Sequence, residues 1–299
     1  MKPKISCIVM LSLCFLFTQS CGTVQSAPSP AGLPPSPAGL PPSPTGLPLT
    51  VAPTEVPATP TAAPPPEPQG PCDNFLYPLR PGNTWVYQSN GANGLARMTF
   101  QVTGIEGDLA RIHVVDEENG VTTDDTVRCE QGAIVNLPLV YLSLLLSDYL
   151  DGVLNTYQNS GVTAPSRLTF TENNWVYSWQ VKKLVEQPVK VSPPGTELSG
   201  GILRSNVMTL DSHTQGLREA VNVPAGAFSQ ALLVDSELTS PVTIGGSGGV
   251  FKVQYKEWFE PYVGLLKIEA VSGSVDTTGF PVPLPISKTL ELVEYHFEQ

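Results

Sequence analysis

Three histidines, His113, His213 and His296, are the first places to look for acid–base or metal chemistry in this chain. Each lies in or beside a run of alternating polarity, and no two stand at ligand spacing. Neither a zinc site nor a local catalytic pair is expected, so no metal or cofactor is assigned. Gly245-Gly246-Ser247-Gly248-Gly249 formally fits the pattern of a nucleophile elbow. An elbow needs a helix after its serine, whereas VFKVQYKEWF alternates like a strand, so a Gly/Ser loop is expected. A hydrolase would have to assemble its residues from distant strands. Its mark would be a histidine within hydrogen-bond reach of a serine and an acid in a cleft. The acidic runs Asp116-Glu117-Glu118 and Asp124-Asp125 are expected at strand ends, without the spacing of an EF-hand loop.

The aromatic residues form the more suggestive pattern. On a strand, Trp175, Tyr177 and Trp179 point to one face, because side chains alternate with period 2. Trp85, Tyr87, Tyr255 and Trp258 could extend that apolar layer, as a sheet core or as the wall of a ligand cavity. The most apolar stretch beyond the signal, LPLVYLSLLLSDYLDGVL at 137–154, breaks the alternation and predicts a helix of three to four turns. It would lie buried across the sheet or cover a cavity, bringing Tyr141 and Leu145 to the aromatic wall. Trp175, Tyr177, Trp179, Tyr141 and Leu145 are therefore the candidate ligand-binding residues.

Five cysteines divide the chain. Cys7 and Cys14 fall in an apolar run, Ile5 to Phe17, which follows Lys2 and Lys4 and is too short to span a bilayer as a helix. This is the layout of a secretory signal over residues 1–20. Thr18-Gln19-Ser20-Cys21 resembles the lipobox of bacterial lipoproteins, with Thr18 in place of the usual leucine. The resemblance implies acyl chains on Cys21 and a membrane as partner; two or more chains suffice for stable attachment. Cys72 and Cys129 remain as a pair, read as a disulfide in an oxidising compartment, with free thiols or a metal pair as alternatives.

Residues 21–71 hold more than half of the 31 prolines and three near-identical heptads, SPAGLPP, SPAGLPP and SPTGLPL. Such a composition cannot bury a core and predicts an extended, disordered stalk. A single domain is expected over 72–299. Its alternating runs, cut by Asn90–Gly94, Glu106-Gly107-Asp108, Asn119-Gly120 and Pro224-Ala225-Gly226, predict antiparallel strands joined by short turns. The expected fold class is mainly β: one curved antiparallel sheet or half-barrel with a short helix packed on it. Sixteen basic residues against 27 acidic ones give a net charge of −11, which argues against nucleic acid as a partner.

YPLRPGNTWVY at 77–87, VNVPAGAF at 221–228 and WFEPYVGLLKIE at 258–269 resemble landmarks of uncharacterised secreted bacterial domains. That group is similar, more distantly, to the half-barrels of LolA/LolB-like lipoprotein carriers. The resemblance implies no catalytic residues. It leads to the expectation of a non-enzymatic lipoprotein of the bacterial cell envelope, binding an apolar small molecule or a lipidated partner. A stalked interaction or scaffolding module, binding an envelope protein, is the alternative.

Overall fold

The structure is a computed structural model that describes residues 70–91, 94–117, 120–138, 140–146, 150–151, 156–185, 190–191, 207–244, 247–276, 279 and 281–298. The signal sequence, Cys21 and the proline-rich stretch to residue 69 lie outside the described residues.

The chain forms strands β1 (Thr84–Gly91), β2 (Gly94–Glu106), β3 (Leu109–Asp116), β4 (Val121–Glu130) and β5 (Ala133–Ile134), then helix α1 (Val140–Leu145). Next come β6 (Leu150–Asp151), β7 (Thr156–Gly161), helix α2 (Arg167–Glu172), β8 (Val176–Val185) and β9 (Lys190–Val191). β10 (Val207–Gln215), β11 (Arg218–Val223), β12 (Gly226–Ile244), β13 (Ser247–Glu260), β14 (Gly264–Asp276), β15 (Pro281–Leu284) and β16 (Thr289–His296) complete it. Fourteen strands make one antiparallel sheet in the order β5-β4-β3-β2-β1-β16-β14-β13-β12-β10-β8-β7, with β11 on β12 and β15 on β14. β6 and β9 pair separately.

Expected turns shape much of this order. Glu106 pairs with Leu109 across Gly107-Asp108, where Gly107 takes φ +61°, a conformation that costs glycine little. Pro224-Ala225 joins Val223 to Gly226 in the same way. Of the expected Gly/Ser loop, Ser247-Gly248-Gly249 lie instead at the start of β13, paired with Ile244, Thr243 and Val242 of β12, because glycines accept the extended backbone of a strand end. The last strand, β16, lies between β1 and β14, so the two ends of the folded chain meet inside the sheet.

The sheet curves around one core without closing into a barrel. Its end strands β5 and β7 do not pair, but Ile134 makes an isolated antiparallel bridge with Ala164, just past β7. Asn74 clasps the same seam, donating to Gly132 O at 2.7 Å and Pro165 O at 2.8 Å. Cys72 and Cys129 are joined as a disulfide and tie this N-terminal segment to β4.

The core-facing positions include Trp85, Tyr87, Phe100, Ile112, Val127, Leu232, Val253, Tyr255 and Leu290, drawn from both halves of the sheet. α1 packs into them through Tyr141, whose ring meets Tyr87 at 5.1 Å and Phe100 at 5.7 Å. It is six residues long, shorter than the predicted three to four turns, and Leu150–Asp151 pairs as a strand instead. The leucines record burial rather than helix length: Leu142, Leu144, Leu145 and Leu146 are all buried, so the segment has no polar face whose period could set its extent. α2 was not expected; Ser166 caps it by accepting the Thr169 N–H at 3.3 Å. Asp124 and Asp125 sit in the middle of β4 rather than at a strand end, on a strand whose first six residues avoid the core.

Candidate functional site

Where β8, β10, β12 and β13 pair around Ser212 and Ser236 their residues alternate, and each strand turns a different chemistry to each face. Trp179, Val181, Leu210, Ser212, Val234, Ser236, Leu238 and Tyr255 point toward the core. The intervening residues point outward and line an open trough of about 670 Å³. Register sets them in two rows. Ser178, His213, Asp235 and Lys256 stand opposite one another across four strands. Gln180, Asp211, Glu237 and Gln254 form the next row.

The second row is mutually satisfied. Asp211 and Glu237 are directly opposed like charges, an arrangement that is unfavourable unless compensated. Gln180 donates to Asp211 at 2.6 Å, while Gln254 and Lys252 reach Glu237 at 2.9 and 2.8 Å. Burial pushes the Glu237 carboxyl up, but the bonds from Lys252 and Gln254 outweigh it and hold it below its ordinary value. The first row is open. Ser178 Oγ and His213 Nδ1 share a hydrogen bond of 2.7 Å. Asp235 and Lys256 face each other in register, yet neither has a hydrogen bond or ion pair to another described residue.

A serine, a histidine and an acid thus share one cleft, drawn from distant strands. The arrangement still lacks two parts of a hydrolytic site. Asp235 makes no bond to orient the imidazole, and Ser178 lies within a strand, not at a strand-to-helix turn that would present backbone N–H groups. His113 pairs with Asp124 at 2.7 Å on the far side of the sheet order, and His296 ends β16. Among the described residues no group of three metal-ligating side chains forms.

The sequence-predicted aromatic wall divides into two clusters on the core side. Tyr177 and Trp179 stack at 6.2 Å and enclose Phe170 of α2, and Trp179 donates to Thr163 O. Trp175 does not belong to β8. It precedes the strand at φ +64°, stacks on Phe170 and carries Arg218 over its ring at 4.6 Å. Phe75 meets both stacked rings edge-on, Phe170 at 5.1 Å and Trp175 at 5.7 Å. Tyr141 belongs to the second cluster, with Tyr77, Tyr87 and Phe100, and Leu145 is fully buried. The wall therefore packs against the chain's own Phe75 and Phe170.

Two charged residues escaped sequence reasoning because they occupy core-facing positions of otherwise ordinary strands. Lys183 is buried beside the seam and donates to Leu137 O; burial lowers its pKa to about 7, against the opposing pull of Asp125. Glu257 faces inward between Val234 and Ile268 and accepts from Ser236 Oγ at 2.7 Å. Burial pushes its carboxyl up to about 7, with the Ser236 bond opposing only in part.

Fold and site define a mainly β protein built on one large open sheet, with a trough on its outer face lined by two rows of polar side chains and by Val271. No protein-family model and no curated protein matches the sequence. Two solved structures resemble it. One is a protein proposed to be exported, with a YmcC-like fold, from Bacteroides fragilis: 13% identity, TM-score 0.46, covering 75% of this chain and all of the other. The second, from Parabacteroides distasonis, is described as a candidate lipoprotein: 17% identity, TM-score 0.43, covering 75% of this chain and 99% of the other. Neither is described as a LolA/LolB-type carrier.

Proposed function

We propose that this protein is a lipoprotein of the bacterial cell envelope, held to a membrane by acyl chains on Cys21, whose sheet domain binds a ligand without transforming it. The polar rows of the trough favour a ligand that carries hydrogen-bonding groups. The observation that carries this reading is the Asp235–Lys256 pair, two opposite charges in register on the trough with no hydrogen bond or ion pair to another described residue. A ligand offering both a donor and an acceptor, such as a saccharide or an extended peptide, would satisfy both. The volume falls in the ordinary range for small-ligand sites. Native mass spectrometry of the full chain, extracted in detergent from the cells that make it, tests this. A co-purifying polar molecule that is absent from the D235N/K256M variant supports the reading. A ligand that survives that change refutes it.

A second reading keeps the apolar ligand or lipidated partner. Its support is the apolar surface beside Trp175, where Val176 and Leu217 are about half exposed and Gly216 lies against the Trp175 side chain. A co-purifying lipid that is lost from W175A but retained by D235N/K256M would favour it.

A further inference from the structure

The inward face directly behind the trough carries a second polar row. Ser212, Ser236 and Glu257 lie on β10, β12 and β13, each adjacent in sequence to a trough residue: His213, Asp235 and Lys256. The row is a hydrogen-bonded chain, with Ser212 and Ser236 hydroxyls 3.0 Å apart and Ser236 donating to Glu257. The other described groups that face Glu257 are neutral. Val234 and Ile268 oppose it on the neighbouring strands, and Tyr255 shares its strand. Tyr77 reaches it from the N-terminal segment, touching Phe259 at 5.3 Å and Tyr141 of α1 at 6.4 Å. Burial and the Glu257 charge together hold the Tyr77 and Tyr255 phenols protonated. No cation pairs with Glu257 among the described residues.

We infer that Glu257 is a protonation switch built into the back of the trough: closed when the carboxyl is neutral, loosened when it ionises. An inward-facing, half-buried carboxylate with one hydroxyl donor and no cation is poorly compensated, so its ionised form favours a looser local packing in which water reaches it more fully. The buried acid's preference for its proton fixes the direction. Its folded value lies near 7 and its ordinary value at 4.5, so the native state binds more protons across that window. Stability is therefore full below about pH 4.5 and is lost as pH rises to about 7. The device works in the range that separates a mildly acidic surrounding from a neutral one.

Urea denaturation of the full chain between pH 4.5 and 8, beside the E257Q variant, tests the switch. Relative to E257Q, the unfolding constant of the natural protein should rise by up to about 300-fold over that interval. Amide exchange distinguishes a local device from general softening. The amides of Ser236, Glu257 and Tyr77 should lose protection before those of β2 and β3. Parallel pH profiles for the two proteins would overturn the inference, as would equal loss of protection everywhere. Should E257Q not fold, infrared spectroscopy of the natural protein decides. A protonated-carboxyl band present at pH 5.5 and gone by pH 8.5 supports the switch, and its absence at pH 5.5 refutes it.

Discussion

Removing the Cys72–Cys129 bridge is expected to cost the domain about 4 kcal/mol. The bridge closes a loop of 57 residues, and the chain-entropy relation assigns roughly that stabilisation to a loop of this size. The bridge also acts where the fold has least else to hold it. It anchors the segment that supplies Asn74 to the seam, places Phe75 and Leu76 in the core, and contains the Arg80–Asp73 ion pair of 2.7 Å. Both sulfurs are buried, so replacement by alanine leaves two small voids but no stranded polar group. The assay is urea denaturation of the C72A/C129A double variant, followed by far-ultraviolet dichroism and tryptophan fluorescence. The midpoint should fall by about 4 kcal/mol divided by the slope, with the slope unchanged or larger. Fluorescence should report early loosening, because Phe75 holds Trp175 edge-on at 5.7 Å. A loss under about 1 kcal/mol would refute the reasoning. It would mean that the unfolded chain is already restrained around this loop, or that the seam holds the segment without the bridge.

Lys183 should make the domain weaker as pH falls. Its pKa drops from 10.5 to about 7 on folding, so the native state binds fewer protons in that window and stability is lost as pH falls through it. K183M should therefore be more stable than the natural protein at pH 7, by at most ~5 kcal/mol less its lost hydrogen bonds, and the advantage should vanish near pH 10.5; a constant difference across denaturation curves at both pH values would contradict this. W179A should cost about 2–3 kcal/mol by thermal or urea melting, because the ring fills the space beside Phe170 and its N–H is bonded to Thr163 O. If ligand binding fell in W179A with no change in stability, the aromatic wall would be a binding surface rather than part of the core. Exchanging Ser178 for alanine should leave stability within about 0.5 kcal/mol, since its partner His213 stays partly in contact with water.

The strands that could be read from the sequence are those with apolar residues on one side and short turns at both ends. β1 to β4 and β11 to β14 meet both conditions, and their observed limits lie within a few residues of the alternating runs. β10 was missed although VMTLDSHT alternates, because two of its core-facing residues, Ser212 and Thr214, are polar. Hydropathy marks such a strand as surface. Only its neighbours, Trp179 and Tyr177 in register on β8, show that Ser212 and Thr214 belong to the core side. The same cause hid Lys183 and Glu257. Glu257 lies in register between Val234 and Ile268, and Lys183 between Met208 and Asn159, and a linear sequence does not show register. The trough was hidden for a complementary reason. Its residues are the polar halves of four strands, individually what any solvated sheet face carries, and they become a candidate site only when pairing places Asp235 opposite Lys256 with no ion pair to another described residue. The aromatic residues gave the opposite difficulty: their spacing located the core-facing side correctly for Tyr177 and Trp179, but could not foresee that Phe170 of α2 would be their neighbour, or that Phe75, a hundred residues away, would meet Trp175. What periodicity reveals is which face a residue takes; what it withholds is the company that face keeps, and in this protein function depends on the company.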